Sequence, residues 1–403
     1  MDLARTCTSR WLTRNVFAIG MLSLFSDTGH ELITAVMPLF LVTFGSGAAT
    51  LGIIEGFADA ASGLFKLWMA YYSDRIGKRK TIIALGYFAT ATLGAFAFVT
   101  AWWQMLVLRV FAWIGRGARG PVRDALLSES VPSEARGRAF GFERTMDTLG
   151  AMIGPAIALS LVGVMALRHI FLIAFIPGAV TVFIALFILQ DLPRAPQPGL
   201  RMVASLRELP RVFWRYVAAV GVFGLGNFAH TLLILRAADM LTPHYGSVRA
   251  GQLAIGLYIF HNLLYAGFSY PAGALGDRRE KKRLLAVGYG LFAVMCMGFL
   301  IADASLVTLT LLFALAGIYI AIVDTIERAY AADLLPFHQR GTGYGALAAI
   351  NSLGDLLSSL AVGLLWSHVS IEAGFWYAAV LTLAGTIALT FIPNGQSKEN
   401  IIA

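Results

Sequence analysis

The stretch Asp74-Arg75-Ile76-Gly77-Lys78-Arg79-Lys80 lies between two long apolar segments, and a similar stretch follows 203 residues later. The second copy reads Asp277-Arg278-Arg279-Glu280-Lys281-Lys282-Arg283. Further residues recur at an offset of 204: Pro132, Arg136, Gly137, Gly141 and Gly150 match Pro336, Arg340, Gly341, Gly345 and Gly354. The chain is therefore two copies of one membrane unit. Parallel repeats of this kind place a binding site between them, near the middle of the bilayer.

The composition predicts a protein that crosses the membrane many times. Of the 403 residues, 58% are hydrophobic and only 13% are charged. A soluble domain cannot bury that much apolar surface, whereas a helix of about 20 residues spans the ~30 Å core of a bilayer. We therefore predict an all-α membrane protein with twelve transmembrane helices in two pseudo-symmetric six-helix halves. The predicted spans lie near residues 15–43, 49–72, 82–101, 103–127, 138–163, 168–190, 212–240, 250–275, 284–302, 306–332, 342–367 and 372–393.

One polar segment separates the sixth and seventh apolar spans. It carries Pro193, Pro196 and Pro198 together with several arginines. We predict an N-terminal half at 1–190, a cytoplasmic linker at 191–211 and a C-terminal half at 212–403. Nearly every other residue belongs to a span or a tight turn, and no Gly-rich phosphate-binding loop is present. We therefore predict no enzymatic activity, no cofactor and no thiol metal site.

The distribution of positive charge predicts the orientation in the membrane. The net charge is +8, yet with a cytoplasmic amino terminus the external loops and their margins hold only Arg168 and Arg249 of the 31 Lys and Arg residues. The positive-inside rule then puts both termini in the cytoplasm, in a multi-pass protein of the inner (cytoplasmic) membrane. The basic cytoplasmic face suits contact with anionic membrane lipid, so the charge requires no nucleic-acid partner.

The repeated stretch resembles a signature of the major facilitator superfamily, and the resemblance covers essentially the whole chain. The signature between spans two and three of that family reads Gly-x-x-x-Asp-Arg-x-Gly-Arg-Lys. The matching residues are Asp74, Arg75, Gly77, Lys78 and Arg79 in the first copy, and Gly273, Asp277 and Arg278 in the second. Ala70 replaces the first Gly, and Glu280 replaces the later Gly of the second copy. The resemblance implies a transporter that functions as a monomer.

Span five carries a second motif of that family. Gly150-Ala-Met-Ile-Gly154-Pro155 resembles the Gly-x-x-x-Gly-Pro motif of its proton antiporters, although the usual closing glycine pair is absent. The resemblance implies antiport. Glycines one turn apart let two helices approach closely, and Pro155 loosens the helix beside them. Ordinary packing is the alternative explanation. Span four carries Arg109 where the family often has a membrane-embedded arginine.

Several charged residues are expected to open and close the cytoplasmic face. Asp74 and Asp277 lie at helix ends, where a carboxylate accepts hydrogen bonds from a neighbouring helix amino terminus or pairs with arginines. Span four places Arg116 and Arg123 two turns apart, and span five adds Asp147. We expect these side chains to form a latch that is made and broken as the two halves rock.

The two halves also carry adjacent charges in opposite order. Arg123-Asp124 of span four corresponds to Glu327-Arg328 of span ten. We predict a salt bridge between Arg123 and Glu327 across the pseudo-twofold axis when the inner gate closes.

Span one carries the first candidate binding site. Asp27, His30, Glu31 and Thr34 occupy positions i, i+3, i+4 and i+7, so they share one helix face. A charged side chain in mid-bilayer costs about 2.5 to 3.5 kcal/mol on insertion scales. This face is therefore expected to point to a central cavity or to other polar groups of the protein.

Span two adds Glu55 and Asp59 as candidates, followed by Lys66. The alternative is that Glu55 caps the external end of its helix and that Lys66 pairs with Asp59. His230 of span seven lies at the repeat position of Asp27. It is a further candidate.

Asn262 of span eight is the last candidate binding residue, and it follows His261. Membrane histidines also serve as packing residues, so both roles stay open for His230 and His261. Tyr258 and Tyr265 are expected to be packing residues.

We predict a secondary active transporter of a small solute, working by alternating access with a central cavity between the halves and coupled to protons as an exporter. Asp27 and Glu31 are the predicted proton carriers, because removal from water favours the neutral form of a carboxyl group. Protons and a cationic solute then compete for one acidic face.

Two alternatives stay open. Asp27, His30, Glu31 and His230 supply oxygen and nitrogen donors, which suits export of a divalent metal ion or a metal chelate. A non-transporting membrane sensor or scaffold is the other alternative, because a fold alone does not establish activity.

Overall fold

The computed structural model describes residues 12–76, 78–132, 136–192, 206–336 and 339–392. Within these residues the regular structure is helical, apart from one isolated bridge between Val162 and Met165. Gly77 lies outside the described residues, as do the side chains of Asp74, Arg75 and Asp277. The predicted latch at these positions therefore stays a prediction.

The first six spans follow one another with short turns. Their bounds are Arg14–Val42 (span 1), Ala48–Ile76 (span 2), Arg79–Phe98 (span 3), Trp102–Glu129 (span 4), Arg136–Leu161 (span 5) and Leu167–Ile188 (span 6). Span 3 tightens into a 3₁₀ helix at Thr92, and span 6 is interrupted at Ala174. Arg14 and the end of span 12 mark one face of the molecule, the terminal face; the opposite face is the distal face.

Spans 7 to 12 form the second half. The helix Thr231–Arg278 has two arms: span 7 consists of Arg211–Gly224 and the first arm, and span 8 is the second arm. The remaining bounds are Lys281–Ile301 (span 9), Leu306–Leu334 (span 10), Arg340–His368 (span 11) and Ile371–Thr390 (span 12). The two arms separate at Gly246, whose φ of 74° favours glycine. Twelve spans in two halves are thus present in the described residues, as predicted.

Span 7 contains a break that the sequence did not predict, between Gly224 and Thr231. Serine hydroxyls of span 11 satisfy backbone groups there: Ser358 Oγ donates to the Asn227 carbonyl at 2.7 Å, and Ser359 Oγ accepts from the Ala229 amide at 3.0 Å. Both serines are fully buried. The hydroxyls permit the break because unpaired backbone groups are costly within a membrane.

Six of the described helices are long and apolar enough to cross a membrane by length and composition alone: spans 3, 6, 9, 10, 11 and 12. The remaining spans include 1, 2, 4 and 5, which carry most of the buried charged side chains. Membrane-buried charge is thus concentrated in the first half.

The two halves dock along span 2 against span 11 and along span 5 against span 8. Gly56 approaches span 11 so closely that a Cβ atom on it would lie 2.9 Å from the Leu356 carbonyl oxygen. At the distal face, Gln252 Nε2 of span 8 donates to the Val162 carbonyl at 2.7 Å. These contacts place the inner faces of spans 1, 2, 4 and 5 opposite those of spans 7, 8, 10 and 11.

Candidate functional site

A buried ion pair joins spans 2 and 4. Arg109 Nη2 lies 3.0 Å and Nε 3.2 Å from Glu55 Oε2, and both residues are at most 3% exposed. The guanidinium also stacks over the Trp113 ring at 3.5 Å and donates to Thr34 Oγ1 at 3.2 Å. Glu55 therefore neutralises the embedded Arg109 in this structure and holds it in one geometry.

His30 occupies the centre of the face predicted in span 1. Its Nδ1 lies 3.0 Å from Arg116 Nη1, and its Nε2 lies 3.4 Å from Thr34 Oγ1. A guanidinium only donates, so the contact assigns Nδ1 as an acceptor and the ring as neutral. The ring packs against Trp113, whose Nε1 donates to Asp59 at 2.8 Å. The candidates of spans 1 and 2 are thus linked through span 4.

Asp27, Asp147 and Arg116 form a carboxyl cluster with one cation. Arg116 Nη1 lies 3.5 Å from Asp27 Oδ1, and Asp147 lies one turn before Gly150 of span 5, which packs against Asp27. Neighbouring carboxylates repel each other, so a proton bound by one of them lowers the cost of placing both beside Arg116. The Arg116 side chain is 32% exposed and that of Asp147 is 22% exposed. Two of the three side chains of the cluster are therefore partly exposed.

Gly150 and Gly154 press span 5 against the turn of span 1 that carries the carboxyls. A Cβ atom at Gly150 would lie 3.1 Å from Asp27 Cβ, and one at Gly154 would lie 3.1 Å from Glu31 Cβ and 2.7 Å from the Leu32 nitrogen. Any side chain here would displace span 1. The glycine motif therefore positions both carboxyls by close helix packing.

Glu31 makes a contact across the two halves that the sequence did not predict. Tyr258 Oη of span 8 donates to Glu31 Oε2 at 2.8 Å. The Tyr258 ring stacks on His230 and on His261, with ring centroids 5.6 and 5.8 Å apart. Asn262 Nδ2 donates to the Ala151 carbonyl of span 5 at 3.4 Å. Tyr258 therefore joins the candidate site through its hydroxyl group, a contact that the sequence analysis did not predict.

A second link between the halves lies nearer the terminal face. Arg144 Nη1 contacts Asp147 Oδ2 at 3.3 Å, and Arg144 Nη2 donates to Tyr265 Oη at 3.1 Å. Tyr265 in turn donates to Asp324 Oδ2 of span 10 at 2.8 Å. The chain of contacts connects the Asp27 and Asp147 cluster to the second half.

Lys66 marks a water-accessible space between the halves. Its side chain is exposed, yet the charges of Asp59, Arg116, Arg328 and Asp355 act on it from spans 2, 4, 10 and 11. Asp59 accepts from Trp113 instead of forming a close ion pair with Lys66 within the described contacts. Lys66 therefore lies among charged groups that belong to both halves.

Arg123 and Glu327 each find partners in their own half. Arg123 Nη1 contacts Glu143 Oε1 at 2.9 Å and Ser23 Oγ at 2.9 Å. Glu327 accepts from Asn351 and, at 3.4 Å, from Tyr289. The predicted Arg123–Glu327 salt bridge is not among the described contacts of this conformation, because adjacent spans satisfy both groups first.

In each half, a basic residue of the repeated stretch forms an ion pair within the described residues. Arg79 at the start of span 3 pairs with Glu129 at the end of span 4. In the second half, Lys281 Nζ at the start of span 9 pairs with Asp333 Oδ2 at the end of span 10, at 2.6 Å. Arg278 is exposed at the end of span 8. The repeat thus conserves a contact that the sequence analysis did not identify.

The described residues contain no group of three or more His, Cys, Asp or Glu side chains arranged to hold a metal ion. His30 faces Arg116 and Thr34, while His230 stacks on Tyr258. The donor set expected for metal export is therefore not assembled in this conformation.

Comparisons with known proteins match this chain to membrane transporters over nearly its whole length. The Major Facilitator Superfamily model matches residues 17–258 and 237–402. An uncharacterized MFS-type transporter of Methanocaldococcus jannaschii is 31% identical over 95% of this chain and 96% of that protein. A probable 4-methylmuconolactone transporter of Cupriavidus pinatubonensis is 22% identical over 92% of this chain and 88% of its own length. The crystal structure of the nucleoside transporter NupG shares the fold, with a TM-score of 0.76, 14% identity and coverage of 94% of this chain and 99% of that one.

Proposed function

The chain belongs to the Major Facilitator Superfamily of membrane transporters, and from that premise we propose that it exports a small solute in exchange for protons. We further propose that the terminal face is cytoplasmic and that the protein resides in the inner membrane. The observation that carries the proposal is the partly exposed cluster of Asp27, Asp147 and Arg116 where spans 1, 4 and 5 meet.

The cluster supplies a physical route to coupling. We propose that Asp27 and Asp147 share one proton, so that together they carry a single negative charge beside the positive charge of Arg116. Loss of that proton adds a second negative charge, which attracts a cationic solute. Gain of a proton from the opposite face removes this attraction and releases the solute.

The link between Glu31 and Tyr258 extends the coupling to the second half. An ionised carboxylate accepts a stronger hydrogen bond than a neutral carboxyl group. Protonation of Glu31 therefore weakens the hydrogen bond that ties span 1 to span 8, so the contact between the halves depends on the protonation state of Glu31.

Further observations bear on the direction of transport and on the solute. The Gly150-to-Pro155 motif resembles that of proton antiporters and packs behind Asp27 and Glu31, which supports exchange. The exposed side chain of Lys66 and the partly exposed Arg116 favour a second candidate solute, a small carboxylate. The relative described as a lactone transporter is consistent with a ring-bearing solute.

The test is proton movement driven by a solute. Purified protein is reconstituted into vesicles that contain a pH-sensitive dye, and panels of organic cations and ring carboxylates are applied as outward or inward gradients. We expect solute flux and proton flux in opposite directions, and we expect Asp27→Asn to abolish the proton flux. Asp303→Asn, an exposed acid of the turn before span 10, is the matched control. Solute flux with unchanged proton flux in Asp27→Asn would refute the coupling, and flux in the same direction would refute exchange.

A further inference from the structure

A groove on the outside of span 8 lies apart from the site described above. It has a volume of about 520 Å³ and lies between spans 5, 8 and 10 near the distal face. Along span 8 its lining residues include Arg249, Leu253, Gly256 and Phe260, which share one helix face at i, i+4, i+7 and i+11. Tyr258 lies about two and a half turns after Arg249 and points to the other half. The groove is therefore on the side of span 8 that faces the membrane.

The length of the groove matches one leaflet of a bilayer. Arg249 and Phe260 are eleven residues apart, which corresponds to about 16 Å along a helix. Half of a bilayer core is about 15 Å thick. With Arg249 at the distal end of the helix, the groove runs from the level of the lipid head groups to the middle of the bilayer.

The chemistry of the lining changes along this length. Leu159 of span 5, Leu306 of span 10 and Phe260 make the walls apolar. Arg249 is exposed at the upper end, where its only described hydrogen bond goes to Gln252 Oε1 at 3.4 Å. The neighbouring Val307 of span 10 is 70% exposed, as expected for a surface in contact with lipid. A cation above an apolar groove complements an anionic head group above an acyl chain.

We propose that this groove binds one phospholipid from the leaflet at the distal face, which is the outer leaflet in the orientation proposed above. An acyl chain lies along Leu253, Gly256 and Phe260, and the phosphate accepts hydrogen bonds from Arg249. Leu159 belongs to the first half and the other lining residues to the second. The bound lipid therefore bridges the halves beside the Gln252–Val162 contact and stabilises the conformation in which they are docked there.

Two substitutions separate the head-group contact from the acyl-chain contact. Arg249→Gln removes the cation at an exposed position. Gly256→Phe fills the groove, because a Cβ atom at Gly256 meets nothing within 4 Å. Arg168→Gln is the matched control: Arg168 is another arginine near the distal face, and it donates to the Ala97 carbonyl at 3.0 Å, away from the groove.

The experiment uses the full-length protein in a neutral detergent with added phosphatidylglycerol. Native mass spectrometry counts retained lipid, and thermal unfolding measures the stabilisation. We expect one phosphatidylglycerol per protein to bind about ten- to hundredfold more weakly in Arg249→Gln, the range expected for loss of a charge-assisted hydrogen bond. Gly256→Phe should abolish this binding, while Arg168→Gln should bind as the wild type does. Each variant must unfold at the wild-type temperature without lipid, and Gly256→Leu replaces Gly256→Phe if it does not.

Unchanged lipid retention in both Arg249→Gln and the groove-filling variant would overturn the proposal. An equal loss in Arg168→Gln would also overturn it, since that result indicates general attraction of anionic lipid to positive charge. Neither outcome depends on whether the protein exchanges protons for solute, because the assay measures lipid binding alone.

Discussion

The two halves descend from one repeated unit, yet they hold polar groups in different ways. Spans 1, 2, 4 and 5 contain ion pairs, such as Arg109 with Glu55 and Arg123 with Glu143. At corresponding positions of the second half, Glu327 is held by the uncharged donors of Asn351 and Tyr289. The first half therefore contains most of the buried charged side chains, whereas the second half surrounds its own buried carboxyl group with hydroxyl and amide groups.

This difference has a mechanical consequence. A buried ion pair holds two helices in one geometry, and breaking it leaves an uncompensated charge. A tyrosine hydroxyl or an amide exchanges partners at lower cost. The first half is accordingly suited to store a proton in a fixed cluster, and the second half is suited to move relative to it.

The largest difference in stability is expected between a variant that breaks a buried ion pair and one that changes a carboxyl group held by uncharged donors. Glu55→Gln leaves the buried charge of Arg109 without its counter-ion and should destabilise the protein by about 3–5 kcal/mol. Glu327→Gln keeps an acceptor for neutral donors and should cost no more than about 1.5 kcal/mol. Unfolding in mixed micelles, followed by circular dichroism, measures both. Equal losses would contradict the contrast between the halves.

The next effect concerns the contact between the halves. Tyr258→Phe removes the donor to Glu31, a hydrogen bond to a charged group worth about 1.5–3 kcal/mol. We expect faster hydrogen–deuterium exchange at the distal ends of spans 1 and 8 in that variant. Tyr289→Phe, which removes a donor to Glu327 inside the second half, is the control and should leave these ends unchanged. Identical exchange in Tyr258→Phe and the wild type would show that this hydrogen bond does not hold the halves together.

A smaller effect is expected from the glycines of span 5. Gly154→Ala forces span 1 away and should cost about 1–3 kcal/mol. Gly141→Ala lies in the same helix, where an added Cβ meets nothing within 4 Å, and it should stabilise by about 0.5–1 kcal/mol. The two variants are compared by the same unfolding assay. A stable Gly154→Ala would mean that close packing does not position the carboxyls.

The smallest effect should come from the repeated ion pair at the terminal face. Lys281 and Asp333 are partly exposed, so a double-mutant cycle with alanine should give a coupling below about 1 kcal/mol. The cycle is measured by unfolding at low and at high salt. A coupling of several kcal/mol would indicate that the ion pairs of the second half are as firmly held as those of the first.

The sequence predicted the spans well, because apolar segments long enough to cross a bilayer form helices, in which the backbone groups are hydrogen-bonded. It did not predict the break of span 7, although Gly226 and Asn227 lie within it; the break depends on Ser358 and Ser359, more than 120 residues away. It also placed a loop at 241–249, where helix continues on both sides of Gly246.

The candidate site was predicted in part. The face of Asp27, His30 and Glu31 follows from helical spacing, and the structure places all three close together: Arg116 contacts Asp27 and His30, and His30 Nδ1 lies 3.4 Å from Glu31 Oε1. The contact with Tyr258 does not follow, because it depends on how two halves separated by more than 200 residues dock. A tyrosine that points to a carboxylate has the same local pattern in sequence as one that packs in a core.

The most direct test of the account is the shared proton between Asp27 and Asp147. Infrared spectroscopy of the protein in lipid at neutral pH detects the carbonyl absorption of a protonated carboxyl group. We predict that Asp27→Asn and Asp147→Asn each remove the same absorption, while Asp303→Asn leaves it in place. If neither substitution changes the absorption of protonated carboxyl groups, the cluster does not store a proton and the proposed coupling is wrong.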